Sequence, residues 1–163
     1  MKRVICIISI IGVVFMVGMK KPPKPALTEE QTAAIQKAVL KNHKEMIKAI
    51  EKLDVDKFFE SIIDSGMGTI IQDGRIMSYK ESLDSTKKRF EGITKLKYEF
   101  SQENTKVLSP EIAIFTGQGK STTTIDTGET FTTNFAVTSV FVLKDGQWKI
   151  FHGHNSIPNP QQN

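Results

Sequence analysis

The chain has 163 residues, of which 39% are hydrophobic and 25% are charged, proportions typical of one soluble globular domain. Its formal net charge of +4 is unevenly distributed, because five basic residues and no acidic residue precede Leu27. The rest of the chain carries 17 basic and 18 acidic residues, which excludes the clustered positive surface that nucleic-acid binding requires.

Residues 1–19 are predicted to be an export signal or a membrane anchor. Lys2 and Arg3 precede a 16-residue apolar run that ends at Met19. A basic start followed by a short apolar core is typical of a signal peptide, and a membrane-spanning helix needs about 20 residues. No small-residue cleavage signature follows the run, so cleavage and retention as an anchor both stay open. We expect a protein that is exported to the periplasm, or anchored and facing outward, and that touches the membrane only through this segment.

The mature domain contains no thiol. Cys6, the one cysteine of the chain, lies inside the apolar run. The domain therefore cannot form a disulfide or a thiolate metal site, and it has no nucleophilic cysteine.

Two helices are predicted after a Pro- and Lys-rich linker over residues 20–26. Thr28 and Gln31 match a capping box, and the apolar residues that follow keep helical spacing as far as Leu53. Asp54 is a suitable N-cap for a second, short helix.

A hairpin and a third helix come next. Residues 67–72 read as a strand, and Asp73-Gly74 is a strong signal for a two-residue hairpin turn. Ser78 and Glu81 form a second capping box, and Gly92 ends the helix that they open.

The remainder predicts four long strands joined by short turns, over residues 94–107, 111–125, 129–143 and from 147 onward. Sequential strands with tight turns form an antiparallel meander, and the helices are available to cover one of its faces. The predicted fold class is α+β: a cone of about three N-terminal helices packed in a strongly curved antiparallel sheet of about five to six strands. The cone spans residues 27–157, and 158–163 form a disordered tail.

The last strand predicts a pocket. Trp148, Ile150, His152 and His154 alternate along it, so they are expected to share one face. Such a strand suits the wall of a cavity that is apolar at depth and polar at its mouth. His43 lies within the apolar stripe of the first helix, so it is expected to face the same cavity.

The histidines allow more than one role. His152 and His154 are the candidate catalytic residues, as a general base or acid, and the alternative is that they only line the pocket. Together with His43 they are candidates for a three-histidine site that binds zinc or iron, since imidazole is a suitable ligand for both metals. The same pattern arises wherever imidazoles line a cavity rim, and we predict neither a metal nor a cofactor.

Several segments together resemble the SnoaL-like proteins of the nuclear-transport-factor-two-like, or cystatin-like cone, superfamily. They are the helix ending at 53–58, the Asp73-Gly74 hairpin, the helix opened by Ser78, and the ending Trp148-x-Ile150-x-His152-x-His154-x-Ser156. The resemblance implies a cone over about residues 28–156 and a homodimer formed through the outer face of the sheet. The superfamily includes polyketide cyclases, ketosteroid isomerases, dehydratases and dimerisation modules, so the fold leaves the function open.

A ketosteroid-isomerase type of site is not expected. The resemblance places Met46 where that site has a tyrosine, and Ser139 near the position of its second acid. The base would fall near Gln72 or Asp73, and Asp73 is needed by the turn. Two of the three roles therefore lack the required chemistry.

Three functions follow as hypotheses. The first is binding of a small apolar or amphipathic molecule without an assigned reaction, and the second is a lyase, cyclase or isomerase that uses His152 or His154 as a general base. The third is a dimerisation or interaction module whose cone is filled by its own side chains. The residues predicted to line the pocket are His43, Met46, Tyr98, Phe135, Ser139, Trp148, Ile150, His152 and His154.

Overall fold

The structure is a computed structural model that describes residues 26–64, 69–72 and 74–157. The predicted export signal, most of the linker and the predicted tail lie outside the described residues. Within these residues no helix is long and apolar enough to cross a membrane. In chain order the elements are α1 (Glu29–Glu51), α2 (Val55–Phe59), β1 (Thr69–Gln72), β2 (Arg75–Met77), α3 (Tyr79–Phe90), β3 (Ile93–Ser109), β4 (Ile112–Ile125), β5 (Thr130–Lys144) and β6 (Gln147–Ser156).

The helices begin where side chains satisfy their free backbone N–H groups. The Thr28 hydroxyl accepts a hydrogen bond from the backbone N–H of Gln31, and the Gln31 side chain accepts one from the Thr28 N–H. Ser78 and Glu81 repeat this capping box at α3, and Asp54 caps α2. Each such bond satisfies a donor that has no partner within its helix. The predicted helix starts are confirmed.

The six strands form one curved, open sheet in the order β2-β1-β6-β5-β4-β3. Strands β3 to β6 form the predicted antiparallel meander, and the last turn has positive φ angles of 51° at Asp145 and 75° at Gly146, as a tight hairpin requires. Strand β1 instead pairs with β6 in parallel. The prediction of a wholly antiparallel sheet is wrong at this pair, because no hairpin joins β1 to β6 and their relative direction is free.

Bulges in two strands change the facing of the residues that follow them. In β3, Phe100 pairs with Gly119 and Gln102 with Gln118, so Ser101 is an extra residue. In β6, Ile150 pairs with Phe141 and His152 with Val140, so Phe151 is an extra residue. A bulge bends its strand and increases the local twist, which favours a concave sheet.

Helix α1 lies against the concave face of the sheet, and two of its side chains form hydrogen bonds with the free edge of β3. The Glu51 carboxylate accepts a hydrogen bond of 2.8 Å from the backbone N–H of Tyr98, and the Gln36 amide donates one of 2.9 Å to the carbonyl of Thr105. These bonds satisfy backbone groups that an edge strand would otherwise leave unpaired. Beneath α1 the hydrophobic core comprises Val39, Met46, Ile50, Val55, Phe59, Ile62, Leu96, Ala113, Phe115, Phe141, Trp148 and Ile150.

Gly119 is predicted to be required at the bend in β3. A Cβ atom at this position would lie 2.1 Å from the carbonyl oxygen of Glu99, which is backbone and cannot rotate away. We expect Gly119→Ala to lower the free energy of unfolding by about 2 kcal/mol, measured by urea unfolding with Trp148 fluorescence.

Gly153→Ala is the matched control, because its Cβ would meet only side-chain atoms at ordinary distances, Ile70 Cδ1 at 3.4 Å and Ile150 Cγ2 at 3.8 Å. This variant should unfold within about 1 kcal/mol of the wild type. Equal stability of both variants would contradict the close approach of β3 and β4.

Candidate functional site

A cavity of about 450 Å³ lies between the helices and the inner face of the sheet. Its volume falls within the range of about 300–1,000 Å³ that small-molecule sites occupy. Most of its lining is apolar and comes from all three helices and from every strand except β2. The apolar lining residues are Met46, Ile47, Ile50, Phe58, Phe59, Ile62, Ile70, Phe90, Ile93, Leu96, Tyr98, Phe100, Phe135, Val137, Ile150 and Ile157.

The cavity has a buried floor and an exposed mouth. We define the floor as the buried lining residues of α1, β3, β5 and β6, and the mouth as the three lining residues that are exposed. The floor comprises His43, Met46, Ile50, Leu96, Phe135, Ser139 and Ile150, and the mouth comprises Arg89, His154 and Ile157. A ligand would therefore meet mainly carbon at depth and charge or water at the entrance.

The bulge at Phe151 decides where the two strand histidines lie. Before it, Ile150 faces the cavity; after it, Gly153 faces inward, since a Cβ there would touch Ile70 and Ile150. His152 pairs with Val140 on the opposite face of the sheet. The expectation that Trp148, Ile150, His152 and His154 share one face is therefore wrong, because the extra residue reverses the alternation.

His154 pairs with Thr138 on that same opposite face, so the two histidines share a face of the sheet but differ in exposure and in contact with the cavity. His152 is half-buried, makes an interaction within the protein and does not line the cavity. His154 is exposed and reaches the cavity only at its mouth. Neither stands at the floor, so the structure gives the predicted general base no enclosed position on β6.

The other predicted pocket residues fall into two groups, those that line the cavity and one that lies in the hydrophobic core. His43, Met46, Tyr98, Phe135, Ser139 and Ile150 all line the cavity. Trp148 does not line it and belongs to the hydrophobic core instead. Whether the lining residues bind a ligand stays a prediction.

His43 is one of the most deeply buried polar residues in the cavity lining, together with Ser82 and Ser139. Its side chain is 2% exposed, and its ring stacks on Phe115 with centroids 3.9 Å apart and meets the Phe100 ring edge-on at 5.1 Å. Glu103 Oε1 lies 3.6 Å from Nδ1, which is too far for a hydrogen bond, and Nδ1 has no hydrogen-bond partner in the described part of the chain. The ring is thus held by packing, with a carboxylate nearby but not bonded.

The His43 imidazole is neutral at physiological pH. Its pKa is lowered from 6.5 to about 4, mainly because the charged form is poorly solvated in the buried site and to a smaller extent because of the adjacent Lys44 charge. The carboxylate at 3.6 Å does not reverse this effect. An imidazole with so low a pKa is a weak proton acceptor at neutral pH, but it can still form a hydrogen bond to a ligand.

Tyr98 brings a hydroxyl into the cavity from β3. The Glu51 hydrogen bond to its backbone fixes this stretch of the strand, and Lys97 Nζ lies 3.2 Å from the same carboxylate. Burial raises the pKa of Tyr98, so the hydroxyl remains protonated and is available as a donor. It makes no hydrogen bond with another residue of the described ranges.

Eight polar lining residues were not predicted from the sequence: Gln72, Ser82, Thr86, Arg89, Ser121, Thr123, Thr133 and Asn155. Arg89 follows Ser82 and Thr86 at helical spacing, so the periodicity of α3 could have placed it on the same face. Thr123 pairs with the buried Leu96, whereas its neighbour Thr122 contacts Thr132 across the strands at 3.3 Å. Asn155 could have been found only by counting the bulge.

The three histidines are not brought together. His43 lies at the floor, whereas His152 and His154 pair with residues of the opposite face of the sheet, and His154 contributes to the lining only at the mouth. Across residues 26–64, 69–72 and 74–157, no group of three His, Cys, Asp or Glu residues is arranged to hold a metal ion.

Solved structures with the same fold are numerous, at low sequence identity. A nuclear transport factor 2-like superfamily protein from Salmonella enterica aligns with a TM-score of 0.70 and 15% identity, covering 79% of this chain and 94% of that one. A protein with a cystatin-like fold from Caulobacter vibrioides aligns with a TM-score of 0.62 and 18% identity, covering 76% and 89%. A hexachlorocyclohexane dehydrochlorinase from Novosphingobium barchaimii aligns with a TM-score of 0.67 and 11% identity, covering 81% and 92%.

These likenesses establish the fold, and the sequence itself establishes the family. No curated protein matches the chain. The family model described as a SnoaL-like domain matches residues 39–160, which include most of α1, the whole sheet and every cavity-lining element. The chain therefore belongs to the SnoaL-like domain family, within the nuclear-transport-factor-two-like fold.

Proposed function

We propose that the protein binds a small, largely apolar molecule in the cavity between the helices and the sheet. The observation that supports this most strongly is the cavity itself: about 450 Å³ of space with a predominantly apolar lining. A chain that needed only a scaffold or a dimer interface would gain stability by filling this space, because interiors are packed to high density. The retained space favours an occupant.

The polar side chains of the cavity lining are suited to orienting a bound ligand. His43, Tyr98 and Ser139 each bring one polar group to a predominantly apolar wall, and polar groups of this kind are the usual means of orienting a bound molecule. His43 is proposed to act as a neutral hydrogen-bonding group. Its lowered pKa makes it a weak proton acceptor, so we propose binding and assign no reaction.

Export and dimerisation remain proposals. Export depends on residues 1–19 and is testable by fractionation of the native host. A homodimer is supported by an apolar row on the face of the sheet away from the cavity, testable by sedimentation at several concentrations. The row comprises Ile112, Ile114, Val140 and Val142.

Filling the cavity is predicted to abolish binding. Ser139→Leu places a larger apolar side chain at the floor, and Val137→Phe places one at the next inward position on β5. We expect each variant to weaken binding of the neutral dye N-phenyl-1-naphthylamine by about tenfold or more, because dye and side chain compete for one space. Fluorescence titration measures this directly.

Thr138→Leu is the control for both variants, because Thr138 lies between them on β5 but is exposed on the opposite face. It should bind the dye as the wild type does. Unchanged dye binding in folded Ser139→Leu and Val137→Phe would refute the proposed site.

A neutral His43 predicts a pH dependence of stability. Below pH 6.5 the unfolded chain protonates this imidazole, whereas the folded protein does so only near pH 4. The free energy of unfolding should therefore fall as the pH drops from about 6.5 to about 4, with a His43 contribution of up to about 3 kcal/mol. His43→Phe, which keeps a ring against Phe115 and leaves Glu103 in place, should fall less steeply over this range.

Urea unfolding at several pH values measures the two slopes, and imidazole NMR shifts follow the His43 titration directly. Parallel slopes, or an imidazole that titrates at or above pH 6.5, would show that His43 is solvated rather than buried and neutral.

A further inference from the structure

The orientation of the His43 ring at the floor of the cavity is fixed by packing. Its side chain is 2% exposed and lines the cavity from α1. The Phe115 ring stacks on it with centroids 3.9 Å apart, and the Phe100 ring meets it edge-on at 5.1 Å. The imidazole therefore cannot turn over and exchange its two nitrogens without displacing these rings.

The two nitrogens of His43 differ in access. Nδ1 is buried and has no hydrogen-bond partner among the residues that the structure describes. Glu103 Oε1 lies 3.6 Å from it, beyond the length of a hydrogen bond but too close for a water molecule to lie between the two atoms. Because Nδ1 is inaccessible, Nε2 is the ring nitrogen through which His43 can bind a ligand.

The Glu103 carboxylate favours a proton on Nδ1. A neutral imidazole carries one N–H group and one lone pair. A lone pair on Nδ1 would face the anionic oxygen, whereas an N–H group directs its positive end toward that oxygen, and no solvent screens the pair at 3.6 Å. Lys44 also acts on the imidazole, but its side chain is exposed and screened by water. Nε2 is then left with the lone pair.

The other predicted polar groups of the lining do not select between donors and acceptors. Ser139 and Tyr98 each contribute a hydroxyl to the cavity wall. A hydroxyl donates or accepts as its O–H bond rotates, so it adapts to either class of ligand group. An imidazole that is packed in place and protonated on one nitrogen does not adapt in this way.

We infer that the Glu103 carboxylate holds the His43 proton on Nδ1, and that the ligand is a largely apolar molecule with an uncharged hydroxyl or N–H group that donates to Nε2. The inference rests on the proposed function and adds the polarity of the ligand's polar group. A ketone or an ether oxygen at this place would set its lone pairs against the lone pair of Nε2. That nitrogen would stay unpaired in a buried site, which disfavours binding.

The first test is the tautomer, measured on the full chain without ligand. Two-dimensional proton–nitrogen NMR of nitrogen-labelled protein at neutral pH shows which ring nitrogen bears the proton, and the spectrum of His43→Phe assigns the signals. We expect a protonated Nδ1 in the wild type. Glu103→Gln removes the charge and keeps the size of the side chain, so the population with a protonated Nε2 should rise.

Glu99→Gln is the matched control, because Glu99 lies on the same strand but is exposed and does not line the cavity. It should keep the tautomer of the wild type. A proton on Nε2 in the wild type, or no change in Glu103→Gln, would overturn this inference and leave the proposed function standing.

The second test is ligand selectivity between two probes with one carbon skeleton. They are 1-tetralol, which carries a hydroxyl, and 1-tetralone, which carries a ketone, and their affinities are measured by displacement of N-phenyl-1-naphthylamine. We expect the wild type to bind tetralol about fivefold more tightly than tetralone. His43→Phe, which keeps a ring against Phe115, should bind both probes about equally. Glu103→Gln should narrow the preference, and Glu99→Gln should keep it.

Equal binding of the two probes by the wild type, or a preference for tetralone, would overturn this inference and leave the proposed function standing, since both probes would still enter the cavity. A preference for tetralol that persists in His43→Phe would also overturn it, because another residue would then select the hydroxyl. Failure of the dye and of both probes to bind would overturn the proposed function as well.

Discussion

The bend of the sheet is the constraint on which the cavity depends. If the sheet were flat, α1 would pack against it along its whole length, and the space between the helix and the sheet would close. The bend arises where the Ser101 bulge of β3 faces Gly119 of β4, whose missing side chain lets the backbone of Glu99 approach. The bulge at Phe151 of β6 provides a second irregularity on the other side of β5. Backbone geometry, more than any single core contact, therefore creates the site.

The cavity combines opposite electrostatic environments at its two ends. At the floor, burial outweighs the Glu103 carboxylate 3.6 Å from His43 and keeps the imidazole neutral. At the mouth, the Arg89 side chain is exposed. The same gradient explains why an imidazole on α1 is poorly suited to proton abstraction, although it is well placed to contact a ligand.

Local chemistry made much of the fold predictable from the sequence. The capping boxes at Thr28 and Ser78 predict where their helices begin, and Asp145-Gly146 adopts the positive φ angles that its hairpin needs. The facing of His152 and His154 was not predictable, because a bulge depends on pairing with a distant strand and leaves no local signal at Phe151. Strict alternation of inward and outward side chains predicts the facing correctly up to Ile150 and incorrectly from the next residue onward. His43 was predicted correctly to face the cavity because the helical period of α1 is uninterrupted.

An open apolar cavity is the central claim, and xenon binding tests it most directly. Xenon enters apolar cavities in protein crystals and is located by its anomalous scattering. We expect xenon sites at the floor, among Met46, Phe135 and Ile150, in crystals of the wild-type protein under xenon pressure. A well-diffracting crystal with no xenon at the floor, and continuous protein density filling the space between α1 and the sheet, would contradict it.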